Sequence, residues 1–180
     1  VLMKSLRPSP YVVLLLGVCQ DPLCVVTEFC EGGSLHSLLF SNATMDWPLI
    51  KKIIVGIAKG MLHLHLEGVV HRDLAARNIL LTANYDPKIS DFGMSRFITK
   101  ENDSGKTSTE VGPIKWMAPE CLREMQYSKA SDVWAFGITL IEIFTRAEPY
   151  GAMELMRVAT KVSSKELVPT IPENVPNKLA

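Results

Sequence analysis

His71-Arg72-Asp73-Leu74-Ala75-Ala76-Arg77-Asn78 is the stretch on which the reading of this chain turns. It sets a carboxylate, a carboxamide and two arginines directly after a long apolar pattern of helical period. Asp91-Phe92-Gly93 follows it, and then Ala118-Pro119-Glu120. A given tripeptide occurs by accident in about 2% of chains this long, so one string decides little, while three in a fixed order are no accident.

Working outward, the residues before this stretch predict a hairpin and two helices. Tyr11 to Cys19 and Leu23 to Phe29 are apolar runs of strand length separated by the turn-prone Gln20-Asp21-Pro22. Glu31-Gly32-Gly33 breaks the second strand, and Ser34 is placed to cap a short helix through Phe40. Asp46 can cap a longer helix with Pro48 in its first turn, with Ile50, Ile53, Ile54, Ile57, Met61 and Leu64 at helical spacing, and with Gly68 as its stop.

Beyond the loop, Asn78 to Leu81 and Pro87 to Ser90 predict a small hairpin joined by Asn84-Tyr85-Asp86. Met94 to Val111 is polar and aperiodic, the composition of a mobile loop. Ser128 through Thr145 is hydrophobic nearly all round, which predicts a buried helix, and Ala152 to Val162 predicts a last amphipathic one.

Composition narrows the function classes. With 180 residues and 47% hydrophobic content, the chain has the means for one globular domain. Nineteen basic residues against nineteen acidic, without long single-sign runs, argue against a nucleic-acid or polybasic membrane binder, so phosphate recognition must be local. The longest apolar runs fall far short of the roughly 20 residues of a bilayer span, and no signal peptide is visible. Cys19, Cys24, Cys30 and Cys121 include no C-x-x-C pair, and a reduced, cytosolic compartment is the simple reading. His63 and His65 are two apart in a helical pattern and so face different ways, which favours packing over a metal pair.

The three strings together resemble the catalytic loop, magnesium loop and activation-segment end of the eukaryotic protein kinases, and the resemblance extends over essentially the whole chain. It implies an α+β, protein kinase-like fold. Residues 1–29 would be the end of the small lobe, and 30–180 the hinge and mostly helical large lobe, without its final helices. It also implies a phosphotransferase using ATP and Mg2+ on protein substrates.

By the same resemblance, Asp73 would accept the acceptor hydroxyl's proton, while Asn78 and Asp91 would hold magnesium against the phosphates. Val25 to Leu35 resembles the last small-lobe strand and the hinge. Backbone at Glu28 and Cys30 would pair with adenine there, with Thr27 at the rear of the pocket and Leu80 beneath the purine. Met3, Leu15, His71 and Phe92 would form the apolar stack linking the lobes. Asp132, costly if left unpaired in so apolar a helix, would anchor the catalytic loop. Arg72 would receive a phosphate carried on Ser104, Thr107, Ser108 or Thr109 if that loop regulates the enzyme.

The acceptor is addressed by two segments. Arg77, four residues beyond Asp73, resembles the arginine that tyrosine kinases place beside the base, and Pro113-Ile114-Lys115-Trp116 resembles their substrate platform. A proline there fixes φ and donates no hydrogen bond. Tyrosine specificity is the expectation. The alternatives are serine/threonine or dual specificity, favoured by the absence of tyrosine between Gly93 and Ala118, or a noncatalytic pseudokinase or scaffold.

No G-x-G-x-x-G loop precedes the hinge, and Val1 to Leu6 resembles the end of the helix that carries the partner of the phosphate-binding lysine. Only 22 residues separate Lys4 from Thr27, too few for Lys4 to be that lysine. The chain therefore reads as a kinase fragment, not expected to transfer phosphate efficiently alone. Membrane attachment would come only through missing segments, and the expected location is the cytoplasm or the cytoplasmic portion of a receptor.

Overall fold

Residues 2–97, 105–106, 113–173 and 175–176 are described by the computed structural model. After a 3₁₀ turn at Leu2–Ser5, strands β1 (Leu15–Gln20) and β2 (Leu23–Thr27) form the expected antiparallel hairpin, closed by the Gln20/Leu23 pair. The first strand is shorter than its apolar run predicts. Residues 11–13 turn instead toward Ile89, where Val13 N–H donates to Ile89 O at 2.9 Å and Ile89 N–H donates to Tyr11 O at 2.9 Å. Burial of Val12 and Val13 accompanies that switch of partner, which apolarity alone does not encode.

Two capped helices follow. Helix α1 (Leu35–Leu39) begins where Ser34 Oγ accepts from Ser37 N–H, and α2 (Trp47–Leu66) where Asp46 accepts from Leu49 N–H at 3.0 Å. The α2 face bearing Ile53, Ile54, Ile57, Met61 and Leu64 is buried in the main core, and Gly68 ends the segment at φ +74°, a region glycine enters without steric cost.

Around the loop of residues 71–78 the strands are minimal: β3 (Val69–Val70), β4 (Ile79–Leu81), β5 (Pro87–Ile89), β6 (Arg96–Phe97) and β7 (Gly105–Lys106). β4 and β5 form the predicted hairpin. The segment predicted as loop contributes two strands instead, because β6 pairs with β3 and β7 with β8 (Gln126–Tyr127), beyond α3 (Pro119–Glu124).

Helix α4 (Lys129–Thr145) starts with a reciprocal capping box between Ser128 and Ser131. Its burial is less complete than its composition predicts. Ala135, Ile138, Thr139, Glu142 and Ile143 are buried, but Val133 is 62% exposed, because neighbours cover the other faces and leave that one to solvent. The predicted last helix is α5 (Leu155–Ser163), beginning three residues later than expected. Among the described residues no helix is long and apolar enough to cross a membrane.

Candidate active site

The loop leaving β3 is pinned from below by one buried carboxylate. Asp132 on α4 accepts His71 N–H at 2.8 Å, Arg72 N–H at 2.9 Å and His65 Nε2–H at 2.9 Å. This fulfils the packing argument for Asp132: in so apolar a helix its charge is balanced by three donors. His65 is thereby separated from His63, whose Nε2 meets the Arg7 carbonyl at 2.9 Å. Arg72 sits at φ +71°, a left-handed conformation that costs a non-glycine residue roughly 1–3 kcal/mol. Its guanidinium lies 4.9 Å from the Tyr127 ring centre, and burial lowers its pKa.

Asp73 emerges from this anchored turn with both carboxylate oxygens engaged. Arg77 Nη2 donates to Oδ1, and Asn78 Nδ2 donates to Oδ2 at 2.9 Å and to the Asp73 carbonyl at 2.7 Å. The 3₁₀ turn Ala76–Asn78 creates these contacts by bringing residues four and five positions on back over Asp73. Asn78 O in turn accepts from Ser90 N–H and Ser90 Oγ–H, each at 2.9 Å, so the residue before Asp91 is fastened to the loop that carries Asp73.

Arg77 also stacks 4.9 Å from the Trp116 ring centre, in the 3₁₀ turn Ile114–Trp116 that Pro113 opens. Trp116 Nε1–H donates to Glu142 Oε2 at 2.7 Å, and Ala76 N–H reaches the same oxygen at 3.1 Å. Burial pushes the Glu142 carboxyl above its ordinary range, opposed by these two hydrogen bonds and by the Arg77 charge. Sequence reasoning passed over Glu142. The signal was present: a carboxylate deep in an apolar helix needs partners for the same reason as Asp132.

A cavity of about 350 Å³ opens beside the loop, with Met3, Thr27, Leu80, Asp91 and Phe92 among its walls. It therefore brings together three of the residues predicted to bind nucleotide. Phe92 meets His71 edge-on at 5.6 Å between ring centres, while Leu15, the fourth residue of the expected stack, lines an adjoining cleft with Met3.

Glu28 and Cys30 stand outside that cavity lining. Glu28 N–H pairs with Leu14 O at 3.0 Å, and its Oε1 accepts from Leu14 N–H at 2.7 Å and Lys88 Nζ at 2.8 Å. Cys30 is buried, its carbonyl takes Gly33 N–H at 3.2 Å, and burial beside Glu28 raises its thiol pKa. The chain then lies flat on β4 through Gly32 N–H to Leu81 O at 2.9 Å. A Cβ at Gly32 would stand 2.7 Å from the Thr82 carbonyl, so only glycine allows that approach.

Asp91 is exposed at φ +59°, with its Oδ1 receiving Gly93 N–H at 3.2 Å. Among the described residues no cluster of three or more His, Cys, Asp or Glu side chains forms a metal cage. Asn78 and Asp91 are instead a sparse oxygen set, the kind magnesium uses when it shares its coordination with phosphates and water. The residues present fit such a group. Ser104, Thr107, Ser108 and Thr109 lie outside the described residues.

The chain is 39% identical over 172 residues to serine/threonine-protein kinase STY46 of Arabidopsis thaliana, covering 94% of this chain and 29% of that protein. Probable serine/threonine-protein kinase drkC of Dictyostelium discoideum is 38% identical over 97% of this chain and 24% of its own length. Epithelial discoidin domain-containing receptor 1 of Homo sapiens is 38% identical over 81% of this chain and 18% of its own length. The chain thus spans less than a third of these relatives. A family model described as protein tyrosine and serine/threonine kinase matches residues 1–180, and on that match the chain belongs to the protein kinase family.

Proposed function

We propose that these residues are the catalytic core of an ATP-dependent protein phosphotransferase that prefers tyrosine acceptors. The observation carrying this reading is the Asp73 carboxylate held between Arg77 and Asn78, with Arg77 stacked on Trp116. Residues 1–29 are assigned to the end of the small lobe and 30–180 to the hinge and large lobe. The setting is the cytoplasm or the cytoplasmic portion of a receptor, with protein substrates as partners.

The chemistry asked of the chain is positioning and charge control. Asp73 orients the acceptor hydroxyl and takes its proton, while Arg77 and Asn78 keep the carboxylate aimed. With Nδ2 committed to Asp73, Asn78 offers its Oδ1, alongside the Asp91 carboxylate, to magnesium. Bound Mg2+ would neutralise phosphate charge. Thr27 and Leu80 wall the purine site, and with the Cys30 carbonyl engaged in its turn, adenine pairing at that position falls to the Cys30 N–H.

A tyrosine hydroxyl stands farther from its backbone than a serine hydroxyl, so the platform must hold the substrate chain farther from Asp73. Pro113 and Trp116 supply that platform, coupled to the base through Arg77. Serine/threonine specificity is the second reading, favoured by the names of the Arabidopsis and Dictyostelium relatives. The test is competition between matched tyrosine, serine and threonine peptides, using the full-length polypeptide that contains this segment. Higher kcat/KM on tyrosine, abolished by Asp73→Asn, is expected. Faster transfer to serine or threonine overturns the preference, and undiminished turnover in folded Asp73→Asn overturns the catalytic assignment in favour of a scaffold.

A further inference from the structure

Cys19 on β1 stands directly opposite Cys24 on β2, one pair in from the Gln20/Leu23 pair that closes the hairpin. Opposed residues of an antiparallel pair project to the same face, with Cα atoms about 4.5 Å apart in a non-hydrogen-bonded pair and about 5.5 Å in a hydrogen-bonded one. Either spacing falls within the roughly 4.4–6.8 Å that a disulfide spans. Cys24 is exposed and Cys19 partly exposed, whereas Cys30 and Cys121 are buried. Burial also pushes the Cys121 thiol up to about 11 and raises that of Cys30, making both poor sources of thiolate. The Cys19 thiol donates to Asp21 O at 3.2 Å, beside the turn.

We propose that Cys19 and Cys24 form a redox-modification site, a cross-strand dithiol that hydrogen peroxide converts to a disulfide and small thiols restore. The Cys24 thiolate attacks one peroxide oxygen, the O–O bond breaks, and the displaced hydroxide takes up a proton to become water. The Cys19 sulfur then attacks the resulting sulfenic acid. An S–S bond forms, the S–O bond breaks, and a second water leaves with the Cys19 proton. The two sulfurs together lose two electrons and the peroxide oxygens gain them. In a reducing compartment such a bond is transient and regulatory. It staples the strand that continues through Val25 and Thr27 into the cavity wall.

The purified chain is treated with equimolar hydrogen peroxide, quenched, unfolded, tagged with N-ethylmaleimide and weighed intact. The wild type is expected to stay monomeric and to lose two of its four tags. Cleavage before Asp21 should leave the two halves joined until reductant is added. Cys30→Ala should behave alike, losing two of its three remaining tags, while Cys24→Ser, at an exposed position that does not put folding at stake, should form no internal bond. Retention of all four tags, an internal bond that persists in Cys24→Ser, loss of the bond in Cys30→Ala, or predominance of disulfide-linked dimers would each overturn the proposal.

Discussion

Arg77 joins two parts of the site: its Nη2 donates to Asp73 Oδ1 while its guanidinium lies 4.9 Å from the centre of the Trp116 ring. The proposed base and the proposed substrate platform therefore share one side chain. Trp116 cannot shift without disturbing Arg77, and its indole N–H is itself fixed by Glu142.

Arg77→Lys, in the full-length polypeptide, retains the charge but loses the planar stack and the fork geometry. A cation–π contact is worth roughly 1 kcal/mol at a partly exposed site, so kcat/KM for a tyrosine peptide should fall at least about fivefold. Trp116→Phe should keep part of that stack. Steady-state kinetics on matched peptides check this, and an unchanged tyrosine-to-serine ratio in Arg77→Lys would reduce the stack to a structural contact.

Glu142→Gln should leave the fold intact and flatten its pH dependence. Both hydrogen bonds from Ala76 and Trp116 end on Oε2, and an amide oxygen accepts two. The folded-state carboxyl titrates above its ordinary 4.5, so the native chain binds its proton more tightly than the unfolded one. Its destabilising effect is absent below the unfolded pKa and grows as pH rises through the folded one. Urea midpoints should therefore show Glu142→Gln gaining on the wild type as pH rises above the ordinary carboxyl value of 4.5. Glu142→Leu, which orphans both donors, should lose about 2–4 kcal/mol.

Asp132→Ala leaves the His71 and Arg72 N–H groups buried without their acceptor, at an expected cost of about 2–5 kcal/mol. Asp132→Asn keeps one acceptor oxygen and should lose roughly half as much. Chemical denaturation checks the order. Equal losses would mean that the charge, and not the number of accepted bonds, holds the loop.

Arg146 ends α4 at φ +51° and donates to the carbonyls of Leu38, Leu39, Ser41 and Ala43, tying the end of α1 to α4. Arg146→Ala should cost about 2–4 kcal/mol, with little recovery in Arg146→Lys, because an ammonium cannot span four separated acceptors. Thermal unfolding of the three chains measures it.

Much of this architecture was legible in the chain. Ser34 and Asp46 each announce a helix start because a short oxygen side chain can satisfy an amide N–H left free in the first turn. The contacts of Asp73 are local too: Arg77 and Asn78 reach it from four and five residues away, so one tight turn suffices.

What the sequence by itself determined, then, was the two hairpins, helices α1, α2, α4 and α5, the caps at Ser34 and Asp46, and the loop that carries Asp73, while the short strands β6 and β7 fell in a segment read as loop. Tertiary structure alone decided the long-range partners. Apolar patterning predicted strand for residues 11–14 but not that 11–13 would pair with Ile89, since an extended apolar segment satisfies its backbone equally well on either neighbour. It flagged Asp132 as needing partners but named neither His65 nor Arg72, and it left Glu142 unread beneath Trp116. Burial makes such groups demand partners, and only the packed helices determine which donors lie within reach.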